Sequence, residues 1–586
     1  MRNVLSRFGL IAALLFLSLT WLSPPAVAQD PPPEAETPAP FDPRFGLVDS
    51  FVNIEEANAA GAGWSRIFLR WDVVQPGGPS DWKPANVPDT FLDAEIAAGR
   101  EIVAVLIGTP AWASASGAST AVPPLEYWGD FVFKIATQYH GRIKHWVIWH
   151  QPDVTDPASS NYTWDGTAED YYRLLKEAYL KIKAVDPAMQ VHLAGLTYTW
   201  DRERGQPQYL ARLLDIIVTD PEAAQENYFF DGVSYHLYYN PGQMLEILTD
   251  IHTILTGYGL DKPIWLNETN APPSVDPLIP LQAPVGASIT LEEHSAFVIQ
   301  SFALALAAGA ERIAFNKLRD DLEQAGPFEP YGLLRGDNSR RPAFDAYRVV
   351  TRHLAGTTAV AWQQLGNIYI VTLARGSQTT TVLWNMDRNP ATFLLGAIAS
   401  QAQLVDERGN EQTILANNGG YTIELPGAIC SNGDNCFIGG APRLVIETGS
   451  PAQRAPLEIA AAAPTATPLP APTAAPAPVN PPAEPPPTLT PIPSPIDPPT
   501  PFTDPAGSPA ATGALEATPP PPVALPESVP ELAESELGQP TPTVVPEVTL
   551  STVLKPGRLI WLFIVAIIVF TVSYGVQVII WYRLRR

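Results

Sequence analysis

From Phe45 to about Leu354, short apolar runs alternate with amphipathic stretches of helical length. Solid apolar runs predict buried strands, and apolar positions at i, i+3, i+4 and i+7 predict helices. Strand runs lie at Phe45–Asp49, Arg66–Trp71, Ile102–Ile107, Ile143–His150, Val191–Leu196, Asp231–Tyr238, Pro263–Thr269 and Arg312–Asn316. Helical stretches lie at Ile54–Asn58, Asp89–Ala98, Leu125–His140, Ala168–Val185, Tyr209–Ile217, Met244–Leu255, Leu291–Ala308 and Pro342–Leu354. The clearest, Ala168–Val185, puts Tyr172, Leu175, Ala178, Tyr179 and Ile182 on one face. Strands alternating with crossover helices imply a parallel sheet. Eight such units over about 310 residues predict a (β/α)8 TIM barrel with its site at the C-terminal strand ends. An open doubly wound sheet is the alternative, but no Gly-rich phosphate loop follows the first strand.

After Gly356 the period changes to two. Asn367–Leu373, Thr379–Trp384, Tyr421–Leu425 and Arg443–Glu447 read as strands separated by turn residues. They predict a small antiparallel β-sandwich domain following the barrel. Trp384 reads as core there.

The ends are of a different kind. Arg2 and Arg7, the apolar run Phe8–Leu22 and the cleavage pattern Ala26-Val27-Ala28 predict a signal peptide over residues 1–28. A membrane anchor is the alternative reading of that run. A Pro-rich leader fills 29–43, and the barrel is expected over 44–355 and the sandwich over 356–449. Residues 450–556 are rich in Pro, Ala and Thr, which predicts a disordered stalk, extended in polyproline II. Leu559–Tyr582 is nearly all apolar, and a helix over 557–582 is expected to span a membrane. Arg583, Arg585 and Arg586 then place a short tail, 583–586, in the cytoplasm and the body outside the cell. The expected product is an exported, single-pass surface protein, with the membrane as one partner.

The formal net charge of −24 argues against nucleic acid as a partner and favours solubility outside the cell. The two cysteines, Cys430 and Cys436, are expected to form a local disulfide in an exported chain. With no other cysteine, a thiolate zinc site is excluded. No His or carboxylate spacing marks a metal site and no Gly-x-Ser-x-Gly elbow is present, so neither a metal nor a cofactor is expected.

The polar residues at the strand ends are Asp49, Arg70, Trp71, Asp72, His150, Gln151, Asp153, His236, Tyr238, Glu268, Asn316, Lys317, Arg319 and Asp320. Carboxylates among aromatic residues suit the chemistry of sugars. In one barrel, Gln151 and Glu268 would point at the same ligand.

At these residues the chain resembles a retaining glycoside hydrolase of the large (β/α)8 clan, which carries its acid/base on strand four and its nucleophile on strand seven. The motifs are Arg66–Trp71, Thr109–Ser114, Trp146–Asp153, Asp231–Tyr238, Pro263–Thr269, Tyr331–Arg335 and Arg341–Phe344, over roughly Arg44 to Leu354. The resemblance implies a carbohydrate substrate and a nucleophile at Glu268. It implies substrate contacts from Arg70, Trp71, His236, Tyr238, Asn316 and Lys317, with an Arg of the strand-two segment supporting the nucleophile. Strand four ends in His150-Gln151 where the resemblance expects Asn-Glu, and Phe315-Asn316-Lys317 stands where a Trp platform is expected.

Retaining hydrolysis needs a second carboxyl about 5 Å from the nucleophile to protonate the leaving oxygen. Gln151 donates a hydrogen bond but delivers no proton, and His150 and Asp153 are the substitute acids within the sequence. Glu268 could also be a structural partner of Arg70, and Lys317 could pair with Glu268. Asp49 is either a ligand or a helix cap. Trp149 and Trp265 read as core, and His145 as packing between helix and barrel. The functional expectation is impaired retaining hydrolysis or transglycosylation through Glu268. A non-catalytic glycan-binding module and a structural scaffold are the alternatives.

Overall fold

The computed structural model describes residues 41–83, 88–279, 287–321, 330–433 and 436–454. All lie in the unit Met1–Leu469. Eight strands close into a parallel barrel: β1 Phe45–Val48, β2 Trp64–Arg70, β3 Glu101–Ile107, β4 His145–His150, β5 Gln190–Leu196, β6 Gly232–Tyr238, β7 Ile264–Asn270 and β8 Arg312–Phe315. The closing pair joins β1 to β8 through Phe45↔Ile313 and Leu47↔Phe315. The open doubly wound alternative is thereby excluded.

Period two divides each strand between two cores. One parity of positions, Val48, Trp64, Val103, Val105, Val147, Trp265 and Ala314, forms a cluster of its own that fills the barrel. The other parity, including Ile67, Leu69, Trp146, Ile148, Leu193 and Leu266, packs against the helices. The helix Ala168–Val185 starts with a capping box, in which the Thr167 side chain and Asp170 satisfy each other's backbone N–H.

Antiparallel strands follow: β9 Ala359–Leu365, β10 Ile368–Arg375, β11 Gln378–Asn385, β12 Ala391–Gly396, β13 Gln401–Val405, β14 Glu411–Leu415, β15 Gly420–Leu425 and β16 Arg443–Thr448. They form a six-stranded sheet, β14-β13-β16-β11-β10-β9, and a two-stranded sheet, β12-β15. Ile370, Leu383, Leu395, Tyr421, Ile423 and Val445 of the two sheets share one core. Trp384 is buried and stacks on Tyr369 with centroids 5.2 Å apart.

The membrane-anchored architecture is corrected. Among the described residues no helix is long and apolar enough to cross a membrane. The stretch expected to span, 557–582, lies outside them, as do the signal peptide, the leader to residue 40, the stalk beyond Arg454 and the tail. The single-pass topology, the membrane partner and the surface placement have no support in the structure and are not retained.

Candidate active site

A cavity of about 950 Å³ opens at the C-terminal ends of the barrel strands. Glu268 of β7 is its best-held polar group, 5% exposed. One carboxylate oxygen pairs with the Arg66 guanidinium of β2. The other accepts hydrogen bonds from the Tyr238 hydroxyl and, at 3.4 Å, from the Asn316 amide, and lies 3.6 Å from His236 Nδ1. Asn316 also donates to the Tyr238 hydroxyl at 2.7 Å. Burial alone would push the Glu268 carboxyl up. The Arg66 cation, the His236 and His150 rings and the Tyr238 hydroxyl outweigh it and hold the group down to about 2. Glu268 is therefore ionised at neutral pH.

The tip of β4 shows why two consecutive residues enter the same cavity. Trp146 and Ile148 face the helices and Val147 faces the barrel interior. Trp149 then adopts a left-handed φ of 71° and stays with the outer core, buried against Trp128 and Trp164. That break in alternation, with a second left-handed residue at Gln151 (φ 46°), lets both His150 and Gln151 line the cavity. Gln151 N–H donates to the Gly195 carbonyl at 3.0 Å. Its side-chain Nε2 lies 2.8 Å from His236 Nδ1. The His150 ring packs edge-on against Phe68 and 4.8 Å from the His236 ring. Burial lowers His150 to about 4 and His236 to about 3, so both imidazoles are neutral at pH 7.

Of the expected site residues, His150, Gln151, His236, Tyr238, Glu268, Asn316 and Lys317 come together around this cavity. Arg70 and Trp71 do not. Arg70 pairs with Asp72, and the residue on Glu268 is Arg66, four positions earlier on the same strand face. Trp71 is fully buried, donates to the Gln75 side chain at 2.7 Å and stacks on Phe131. Lys317 pairs with Asp321, not with Glu268. Asp153 is buried and accepts from the Thr197 backbone and hydroxyl at 2.7 and 2.8 Å, outside the cavity lining. Asp320 pairs with the buried Arg341, and Arg319 donates to Asn338. His145 sits inside the barrel between His192 and Trp265, not under a helix. Trp265 is buried beside Trp64.

Asp49 begins a short 3-10 turn, but its side chain makes no cap hydrogen bond. It lines the cavity, and burial raises its carboxyl to about 6 against the pull of Arg66 and Lys317. Further cavity residues are Phe68, Arg202, Tyr239, Gln243, Tyr331 and Phe437. Phe68 was legible by parity, two positions from Arg66. Loop residues such as Tyr331 and Phe437 carry no periodic signal.

His150, His236 and Glu268 each offer a ligand atom, all within 4.8 Å of one another. They reach the cavity from three strands, so no sequence spacing announces them. The Arg66 cation already neutralises the carboxylate that would bring a metal its charge.

Cys430 and Cys436 are joined by a disulfide. No protein-family model and no curated protein matches the chain. Solved structures do. A family 39 glycoside hydrolase from the gut symbiont Bacteroides cellulosilyticus WH2 is 17% identical, with 69% of this chain and 81% of that one covered and a TM-score of 0.53. A glucosidase from Croceicoccus marinus is 14% identical, with 70% and 96% covered and a TM-score of 0.50. At such identities the likeness establishes the fold: the barrel of this chain resembles those of this glycoside hydrolase and this glucosidase.

Proposed function

We propose that the barrel binds a carbohydrate in this cavity, and that Glu268 attacks the anomeric carbon only of glycosides whose leaving group needs no proton. The observation that carries the reading is the Glu268 environment. A buried carboxylate, ionised and oriented by Arg66, Tyr238 and Asn316, faces a polar cavity of sugar-binding size.

At the tip of β4, where the resemblance expects the acid, none of the described residues holds a proton to give. Gln151 cannot deliver a proton. His150 and His236, at about 4 and about 3, carry none to deliver at neutral pH. Asp153 is raised to about 6 by burial, but its carboxylate is occupied by Thr197 away from the cavity. An aryl glycoside with a stable phenolate leaving group can still lose that group as Glu268 forms a glycosyl ester. With no base at the tip of β4 to activate water, the ester persists until an anionic acceptor that needs no deprotonation, such as azide, attacks the anomeric carbon and releases the Glu268 carboxylate.

The test is intact-mass analysis after incubation with dinitrophenyl 2-deoxy-2-fluoro-β-glycosides. A single adduct on Glu268, absent in Glu268→Gln, is expected. Glycan binding without an adduct would leave a binding module, which the amide at Gln151 and the two neutral imidazoles favour as the second reading. Neither binding nor adduct would overturn the carbohydrate role.

A further inference from the structure

Among the described residues of the β-domain, Phe437 alone lines the Glu268 cavity. It follows Cys436 directly, so the Cys430–Cys436 disulfide closes the loop that presents it. The chain is tied to the barrel on both sides of this ring. Before it, Ser431 N–H and hydroxyl donate to the two Glu293 oxygens at 3.0 and 2.6 Å. The Asn432 amide pairs with both backbone groups of Ser288 at 2.6 and 2.7 Å. After it, Gln300 accepts from Gly439 N–H at 3.0 Å and donates to the Gly440 carbonyl at 3.1 Å. Glu293 and Gln300 are both buried on the helix Leu291–Ala307. Six hydrogen bonds and a covalent closure are more than an unconstrained surface turn requires.

Phe68, Tyr238, Tyr239 and Tyr331 of the barrel bring rings to the cavity, but β8 does not. The tip of β8 presents Asn316 and Lys317, which bond hydroxyls but offer no ring. A sugar also presents a face of C–H groups, which pack on the negative face of an aromatic ring. Phe437 has no polar side-chain atom, is half-buried and lines the cavity.

Building on the carbohydrate reading, we propose that Phe437 is a sugar-stacking residue, so that the β-domain completes the barrel's binding site. The disulfide and the anchors on Glu293 and Gln300 of the barrel helix fix the chain on both sides of the ring.

The test is isothermal titration of the full chain with cellotetraose, xylotetraose and laminaritetraose. Phe437→Leu keeps an apolar contact between the domains but removes the ring. It is expected to weaken each sugar bound by the wild type about fivefold to tenfold, with Phe437→Trp retaining the affinity. The Cys430→Ser/Cys436→Ser pair is expected to weaken binding by less, because the Asn432 and Gln300 anchors remain. Wild-type affinity in Phe437→Leu overturns the proposal while leaving the carbohydrate reading intact. Silence of the wild type toward every sugar overturns both. Should Phe437→Leu not fold, Phe437→Trp decides: sugar must change its emission beyond the wild-type change, and no added change refutes the stacking.

Discussion

Gln151→Glu would add one ionisable proton beside His236 and keep the side-chain length. If the amide occupies the place of a missing acid, hydrolysis of unactivated β-glycosides should rise about 10²–10⁴-fold in kcat/KM. No rise, with the fold intact, would mean that the β4 tip does not reach the leaving oxygen. Arg66 poses the converse problem. Arg66→Met leaves the Glu268 carboxylate buried without its cation, and should cost about 3–5 kcal/mol in urea unfolding. Glu268 would then shift up from about 2, and adduct formation would lose rate at mildly acidic pH. The sequence pointed to Arg70 where the structure has Arg66, because both share one parity of β2. What separates them is depth. Arg66 is 2% exposed at the level of Glu268, whereas Arg70 reaches the rim and meets Asp72. Trp71 failed for a related reason: the strand ends at Arg70, and a helical turn swings the next side chain into the outer core.

At the scale of elements, legibility followed burial. The barrel strands, buried on both sides, stood out as solid apolar runs and were placed within one or two residues. In the β-domain, the four strands β10, β11, β15 and β16 were legible, and β9, β12, β13 and β14 were not. The strands β9 and β14 are the two edges of the large sheet, and an edge that buries little has little reason to alternate. The break of period at Trp149 was likewise invisible, being a property of φ and not of composition. Two elements can be tested directly. A Cβ on Gly195 of β5 would fall 2.0 Å from His236 Nε2, so Gly195→Ala must displace that ring. Loss of the Glu268 adduct and destabilisation by about 1–3 kcal/mol are expected. Thr290 and Glu293 form the capping box of the helix Leu291–Ala307, and Glu293 also holds Ser431. Thr290→Ala should cost about 1 kcal/mol in thermal unfolding. Glu293→Ala should cost more, since it releases the β-domain loop as well.

The whole molecule carries a pH dependence set by groups scattered through it. Burial holds His150 and His353 at about 4 and His236 at about 3, lowers His145, and holds His192 and His294 well below their ordinary value. In the unfolded chain these rings protonate near pH 6.5. Between that pH and about 4 the unfolded state therefore binds more protons, and stability falls as pH falls. Asp49 and Asp153 act in the opposite sense. Their carboxyls are raised to about 6, so the folded state holds protons that the unfolded chain releases above about 4. Six rings against two carboxyls leave the histidines in control. Glu268 and Glu101, both lowered to about 2, extend the loss to lower pH, because the unfolded chain takes up their protons first, near pH 4.5. The expected outcome is a melting temperature that declines steadily from pH 7 to pH 4. Proton uptake should accompany unfolding at pH 5, measured as a change of the unfolding enthalpy between buffers of different ionisation heat. Proton release at pH 5 would show that the two aspartates dominate, and that the rings around Glu268 are not held neutral.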